Sequence, residues 1–171
     1  SDIAEELMTN ALYDAPVEAG YYTRAVSRTV AIDLPPNHAC EVSYAVDRDS
    51  ALVRIRDPFG AFTRERMFNV LDRCNTTDGQ VQLDESRGGA GLGLWRVFTH
   101  ASMVAITVIP GRMTDIVTWV DPGKKRQLNA ISLIFPAVRG DGTLGRFAGE
   151  QDHDLMDDSF TALVPSSAAK S

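Results

Sequence analysis

The chain has 171 residues, 44% of them hydrophobic, and a formal net charge of -6 at neutral pH. A chain of this length buries one adequate core and divides only into two marginal ones, so one domain with a tail is expected. No apolar run approaches the roughly 20 residues of a membrane helix, and no Lys/Arg-rich run offers the concentrated positive charge that nucleic-acid phosphates require. A membrane span and a nucleic-acid surface are therefore excluded, and a protein or small-molecule partner is favoured. The opening residues, SDIAEELMTN, carry neither the basic nor the apolar region of a secretory signal, which makes the cytoplasm the expected compartment. Cys40 and Cys74 lie far apart with no CxxC and no neighbouring His, so neither a disulfide framework nor a zinc site is indicated and idle thiols are expected.

In chain order, residues 2–14 place Ile3, Leu7, Met8, Ala11 and Leu12 at helical spacing, and Asp2 with Glu5 has the form of a capping box. Residues 15–39 contain Pro16, Gly20 and Pro35-Pro36 and read as a long loop around one short strand, Thr29 to Leu34. Cys40 to Val46 and Ala51 to Asp57 alternate on either side of a polar turn, which predicts a hairpin with one buried face. Thr63 to Cys74 reads as a helix capped by Thr63, followed by a polar stretch from Asn75 to Ser86. Leu94, Val97, Phe98 and Ala101 fall at i, i+3, i+4 and i+7, an amphipathic helix opening out of a glycine-rich loop. Three further strands are predicted at Met103 to Ile109, Met113 to Val120 and Asn129 to Phe135, with turn signals between them. The expected domain covers residues 1–137, and residues 138–171, which include the acidic run QDHDLMDDS, read as a disordered tail or linker.

Three places carry chemistry. Asp57 ends ALVRIRD on the same face as Val53 and Ile55, so its carboxylate is aimed at the core. A buried carboxylate needs a hydrogen-bond donor, and a purine exocyclic amine at an apolar slot is one; a strand-end carboxylate that caps the Asp57-Pro58 turn is the alternative. Gly88-Gly89-Ala90-Gly91-Leu92-Gly93 precedes the Leu94 helix, where missing β-carbons let backbone N–H groups and the helix dipole approach phosphate oxygens. It is neither a P-loop nor a dinucleotide fingerprint, and a hinge or a tight packing site remains open. Glu6 and Asn10 stand four residues apart on one helical face, so their oxygens can meet one cation or water; a solvated polar face is the plain alternative.

Taken in order, EELMTNALYD, IRDPFGAF and GGAGLGL resemble the N box, G1 box and G2 box of the GHKL ATPase superfamily over about residues 1–136. The resemblance implies a Bergerat-type ATP-binding fold, an α+β two-layer sandwich whose mixed, mostly antiparallel sheet carries helices on one face. It implies ATP and Mg2+ as ligands, with Glu6 as the activating or water-orienting acid and Asn10 as the magnesium ligand. Asp57 becomes the adenine anchor, Asp14 lines the nucleotide pocket, and Gly60 and Ala61 of the G1 turn flank it. Gly89, Gly91, Leu92, Gly93 and Leu94 form the phosphate loop and its helix, and residues 62–88 become the ATP lid. Phe59 and Ala61 stand where the family carries glycines, which implies a crowded base or a reshaped lid hinge. The strand NAISLIF lacks the Gly-Thr pair whose Thr, in the family, helps hold the adenine-side water network. The long interval from Asn10 to Asp57 implies a partner-specific flap, and the strand and helix that usually precede the N box are missing, which implies a piece of a larger domain.

His38, His100 and His153 lack the setting of a phosphoacceptor, and the chain has no room for the added domains of gyrase, MutL or Hsp90 relatives. The anti-sigma-factor serine/threonine kinases remain the nearest group. That group implies phosphorylation or sequestration of a protein partner in bacterial signalling, either a sigma factor or an anti-anti-sigma-like regulator, and pairing as a homodimer. A catalytically inactive nucleotide-binding module and the ATP-binding part of a larger sensor histidine kinase are the alternatives.

Overall fold

The computed structural model describes residues 2–75, 92–121, 128–136 and 160–163. Apolar alternation, which puts every second side chain on one face of a strand, builds six strands: β1 (Glu41–Val46), β2 (Ala51–Asp57), β3 (Met103–Ile109), β4 (Met113–Val120), β5 (Ala130–Ile134) and β6 (Phe160–Leu163). They form one sheet in the order β1-β2-β4-β3-β5-β6. Only β3 and β5 run parallel; every other neighbouring pair is antiparallel. The fold is α+β with a mixed, mostly antiparallel sheet.

Register decides which face is covered. Val53, Ile55 and Asp57 of β2 stand opposite Thr118, Ile116 and Thr114 of β4, which in turn face Val104, Ile106 and Val108 of β3. Ile131 and Leu133 of β5 continue the row. The same face receives α1 (Asp2–Thr9), α3 (Arg64–Asn75) and α4 (Leu92–His100), because Leu7, Met67, Val70, Leu94, Val97 and Phe98 join those strand residues in one buried cluster. Each such side chain contributes about 1.5–3 kcal/mol on leaving water. On the other face Asp115 receives Arg54 at 2.5 Å and Arg56 at 2.8 Å. No helix among the described residues is long and apolar enough to cross a membrane.

Several expectations change. The first helix does not stop at residue 14: a π-helical turn, Asn10–Asp14, closed by Ala15 N–H donating to the Asn10 carbonyl, leads into α2 (Ala15–Glu18). In a regular helix the Pro16 ring would crowd the carbonyl four residues back, and the wider turn admits it. The expected strand from Thr29 to Leu34 does not form; no neighbouring strand offers it a ladder, and its Val30 carbonyl instead accepts the Tyr13 hydroxyl at 2.9 Å. A short 3-10 turn, Pro36–His38, follows. The hairpin is present, but β1 is exposed along its whole length, because as the outer strand it lies beyond the helices. Within the segment read as a disordered tail, Phe160–Leu163 pairs antiparallel with β5. The side chain of Asp2, and with it the expected capping box, lies outside the described residues, whereas Thr63 caps α3 as expected by accepting Arg66 N–H at 3.2 Å.

Candidate functional site

The end of β2, the first helix and the start of α4 converge on one cavity. Its lining includes Leu7, Asn10, Ala11 and Ala15 from the first helical rod, Ile55 and Asp57 from β2, Thr114 and Ile116 from β4, and Leu94 from α4. Phe62, Glu18 and Arg66 complete it on the side of α3. Apolar walls from Leu7, Ile55, Phe62, Leu94 and Ile116 thus surround a polar set made of Asn10, Glu18, Asp57, Arg66 and Thr114. Three segments picked out separately in the sequence therefore meet at one place.

Asp57 is 5% exposed. Its Oδ1 accepts the N–H groups of Phe59 at 2.9 Å and Gly60 at 3.3 Å, so the carboxylate caps its turn and also lines the cavity. Burial pushes its pKa up against those two donors. Thr114, directly across the ladder, is 2% exposed. Its hydroxyl is close enough to Asp57 to help hold the carboxyl's pKa down, yet among the described residues it meets no partner at hydrogen-bonding geometry. Thr118 on the same strand shows the ordinary solution, its hydroxyl donating to the Val53 carbonyl at 3.1 Å. An orphaned hydroxyl beside a buried carboxyl is a polar floor with capacity left for a ligand. The strand Asn129 to Phe135 lacks the expected Gly-Thr pair; the threonine that lines the cavity is Thr114 on β4, which the sequence did not single out.

On the first helix, Asn10 is 9% exposed. Its Nδ2 donates to the Glu6 carbonyl at 2.8 Å, and its Oδ1 accepts from Arg66 at 2.9 Å. Glu6 turns towards α4, where its Oε1 accepts from Arg96 at 3.0 Å. Gly93 explains how close the two helices come: a β-carbon there would collide with Glu6 Oε2 and stand 3.4 Å from Asn10 Nδ2. The glycine of the third motif thus fits against the two polar residues of the first. Asp14, one turn past Asn10, faces Arg28 and Arg66, each at 3.6 Å, and burial raises its pKa against both arginines. The π turn that carries Asn10 and Asp14 is the kind of helix defect that gathers at functional positions.

Other expected residues play different parts. Gly60 has φ +60°, and a β-carbon on it would stand 2.7 Å from Arg112 N and 2.8 Å from Gly111 N; its carbonyl accepts Gly111 N–H at 3.2 Å. It docks the turn after β2 onto the β3–β4 turn, and neither it nor Ala61 is among the cavity's described lining residues. Phe59 does not crowd the cavity either, because its ring packs on His38 at 5.6 Å and Tyr21 at 5.7 Å, tying the 21–38 segment to this turn. Gly89, Gly91 and the side chain of Leu92 lie outside the described residues, as do residues 76–88 of the expected lid. Glu18 and Arg66 were not anticipated. Glu18 continues the row of Glu6, Asn10 and Asp14 at intervals of four residues, a signal hidden because Pro16 ended the predicted helix. Burial raises the Glu18 pKa against the nearby Arg66 charge.

Cys40 is inert here: burial, with the Asp57 charge second, pushes its thiol up to about 11, so it stays protonated and is not a nucleophile. Among the described residues no group of three His, Cys, Asp or Glu is arranged to hold a metal ion. A cation at this site would rest on Asn10 Oδ1 and on ligand oxygens, a donor set that suits magnesium, which keeps few protein ligands. Comparison of the chain with protein-family models, with curated proteins and with solved structures finds no match.

Proposed function

We propose that this chain is a GHKL-type nucleotide-binding module with a Bergerat-type sheet, which takes ATP with Mg2+ in the cavity between the first helix and the β2–β4 ladder. The observation that carries the reading is the convergence of Asn10, Asp57 and Leu94, from three separate motifs, on one apolar cavity whose floor holds the partnerless hydroxyl of Thr114. The Asp57 carboxylate and Thr114 hydroxyl receive the polar edge of the base, and the apolar residues around them exclude water from it. Asn10 Oδ1 holds the metal, whose charge offsets that of the phosphates. The start of α4 presents its unsatisfied N–H groups to phosphate oxygens.

Glu6 is the group for proton handling. Its Oε1 is engaged by Arg96, which leaves Oε2, on the side of Gly93, to orient an acceptor hydroxyl and take its proton. The activity is transfer of a phosphoryl group to a serine or threonine of a regulatory partner in the cytoplasm, or sequestration of that partner, in the manner of anti-sigma-factor kinases. A second reading, a module that binds nucleotide without chemistry, is favoured by the same Arg96 pairing, which occupies one of the two oxygens available to handle a proton.

Calorimetric titration of Mg·ATP and Mg·ADP into wild type and Asp57→Asn tests the site: micromolar binding lost in the variant is expected, and no binding by wild type refutes it. Glu6→Ala separates the two readings. Retained binding with lost transfer supports a kinase, whereas a wild type that binds without transferring or hydrolysing supports the inert module.

A further inference from the structure

The cavity is narrow. Its free volume is about 20 Å3, room for roughly one water and far too little for a purine base. Arg66, in the first turn of α3, is one of the residues that narrow it, and its side chain is 15% exposed. Its guanidinium donates to Asn10 Oδ1 at 2.9 Å, lies 3.6 Å from Asp14, makes a short ion pair with Glu18, and sits over the Phe62 ring at 5.8 Å. One side chain thus holds the polar row of the first helical rod, occupies the oxygen expected to bind the metal, and ties α3 to that rod.

The charges explain why this arrangement persists and what would undo it. Two carboxylates, Asp14 and the more exposed Glu18, face Arg66, and among the described residues only Asp14 has a second cation, Arg28 at 3.6 Å. Withdrawing Arg66 alone would leave Glu18 without its partner and the more buried Asp14 with Arg28 alone, which upsets the charge balance of the row. A divalent cation at Asn10 replaces the lost positive charge, and a polyphosphate offers the freed guanidinium a bidentate partner of equal or greater strength. Neither component alone meets both needs.

We propose that Arg66 is an autoinhibitory latch, which holds α3 against the Asn10, Asp14 and Glu18 row and keeps the cavity closed until a divalent-cation complex of a polyphosphate draws the guanidinium away. The ligand's part in this rests on the nucleotide reading above; the closure itself does not. Because the open form is the minor one without ligand, the apparent affinity of the wild type is lowered by the fraction that is open, and weakening the latch raises affinity.

The test uses the full chain as wild type, Glu18→Gln and Arg66→Met, with circular dichroism to confirm folding. Amide hydrogen exchange over residues 64–75 is followed without ligand, and each protein is then titrated with Mg·ADP, with MgCl2 alone and with ADP in EDTA. Both variants are expected to exchange on the order of tenfold faster across α3, and Glu18→Gln is expected to bind Mg·ADP about tenfold more tightly than wild type. In wild type, Mg·ADP alone among the three additions is expected to change exchange in α3. Unchanged exchange in both variants overturns the latch, as does faster exchange without tighter binding in a protein that takes up the nucleotide. If none of the three proteins binds Mg·ADP, the nucleotide reading falls and the exchange data decide the latch by themselves, faster exchange upholding the closure and unchanged exchange overturning it.

Discussion

Thr114→Val should move stability and ligand affinity in opposite directions. The side chain is 2% exposed and its hydroxyl has no partner at hydrogen-bonding geometry. Burying a hydroxyl unpaired costs about 1–3 kcal/mol, while valine keeps the volume, the branching at Cβ and the strand preference. One term opposes the gain: the hydroxyl helps hold the Asp57 carboxylate, so its loss raises the Asp57 pKa further. That interaction is not a well-formed hydrogen bond, and the desolvation term should win. We expect a gain of about 1 kcal/mol in urea unfolding at neutral pH with an unchanged m-value, or roughly 2–4 °C in Tm for a domain of this size. Mg·ATP affinity, in contrast, should fall about tenfold, the worth of one hydrogen bond. A variant that loses more than about 1 kcal/mol refutes the reasoning, because it would mean that the protein or a bound water already satisfies the hydroxyl.

Three further outcomes follow from the geometry. Gly93→Ala gains about 1 kcal/mol of helix propensity but meets the Glu6 carboxylate; urea unfolding should show a near-neutral change in wild type and a stabilisation of about 1 kcal/mol in a Glu6→Ala background, and equal effects in both would show that Glu6 does not fill that space. Gly60→Ala adds a side chain at φ +60° against the backbone of the β3–β4 turn, which should cost about 2–5 kcal/mol from left-handed backbone and overpacking together; a urea midpoint within error of wild type would rule out that contact. Burial works to raise the Asp115 pKa, but the hydrogen bonds and charges of Arg54 and Arg56 outweigh it and hold the carboxyl below the usual range. A depressed folded-state pKa contributes stability that is complete above the unfolded value, near 4, and is lost as pH falls through the lower folded value. Asp115→Asn should therefore be most destabilising at neutral pH and converge on wild type in strong acid, and a gap that widens on acidification would reverse the sign.

The legible parts of this fold were those in which one local rule decided the outcome. Alternation in Ala51 to Asp57 placed Ile55 and Asp57 on the core face, and the i, i+3, i+4, i+7 spacing from Leu94 to Ala101 marked a helix along which all four of these residues are buried. What escaped depended on a partner elsewhere in the chain. Thr29 to Leu34 has the composition of a strand but pairs with no strand among the described residues. Pro16 looked like a terminator, and the π turn absorbed it, which hid Glu18 from the row of Glu6, Asn10 and Asp14. Thr114 mattered only once register set it opposite Asp57, and periodicity within one strand does not reveal its neighbour. Arg66 carried no signal in its own segment, because its partners lie 48 and 56 residues away in the chain.

Several residues in and beside the cavity also share an energetic property that separates them from the rest of the core. Asp57 is a carboxyl kept out of water, Thr114 a hydroxyl without an acceptor, Asn10 and Asp14 belong to a helix wound off its regular pitch, and Gly93 surrenders helix propensity so that Glu6 can approach. Each is unfavourable locally, and a core selected only for stability would replace them with valine, alanine and a regular turn. Elsewhere on the same sheet face the chain follows the economical choice, with Val104, Ile106 and Ile131 almost fully buried and Thr118 bonded to a carbonyl. Concentration of such costs where the three motifs meet is what a ligand site requires, because an unfilled donor or a desolvated acceptor is the means by which a protein distinguishes its ligand from water.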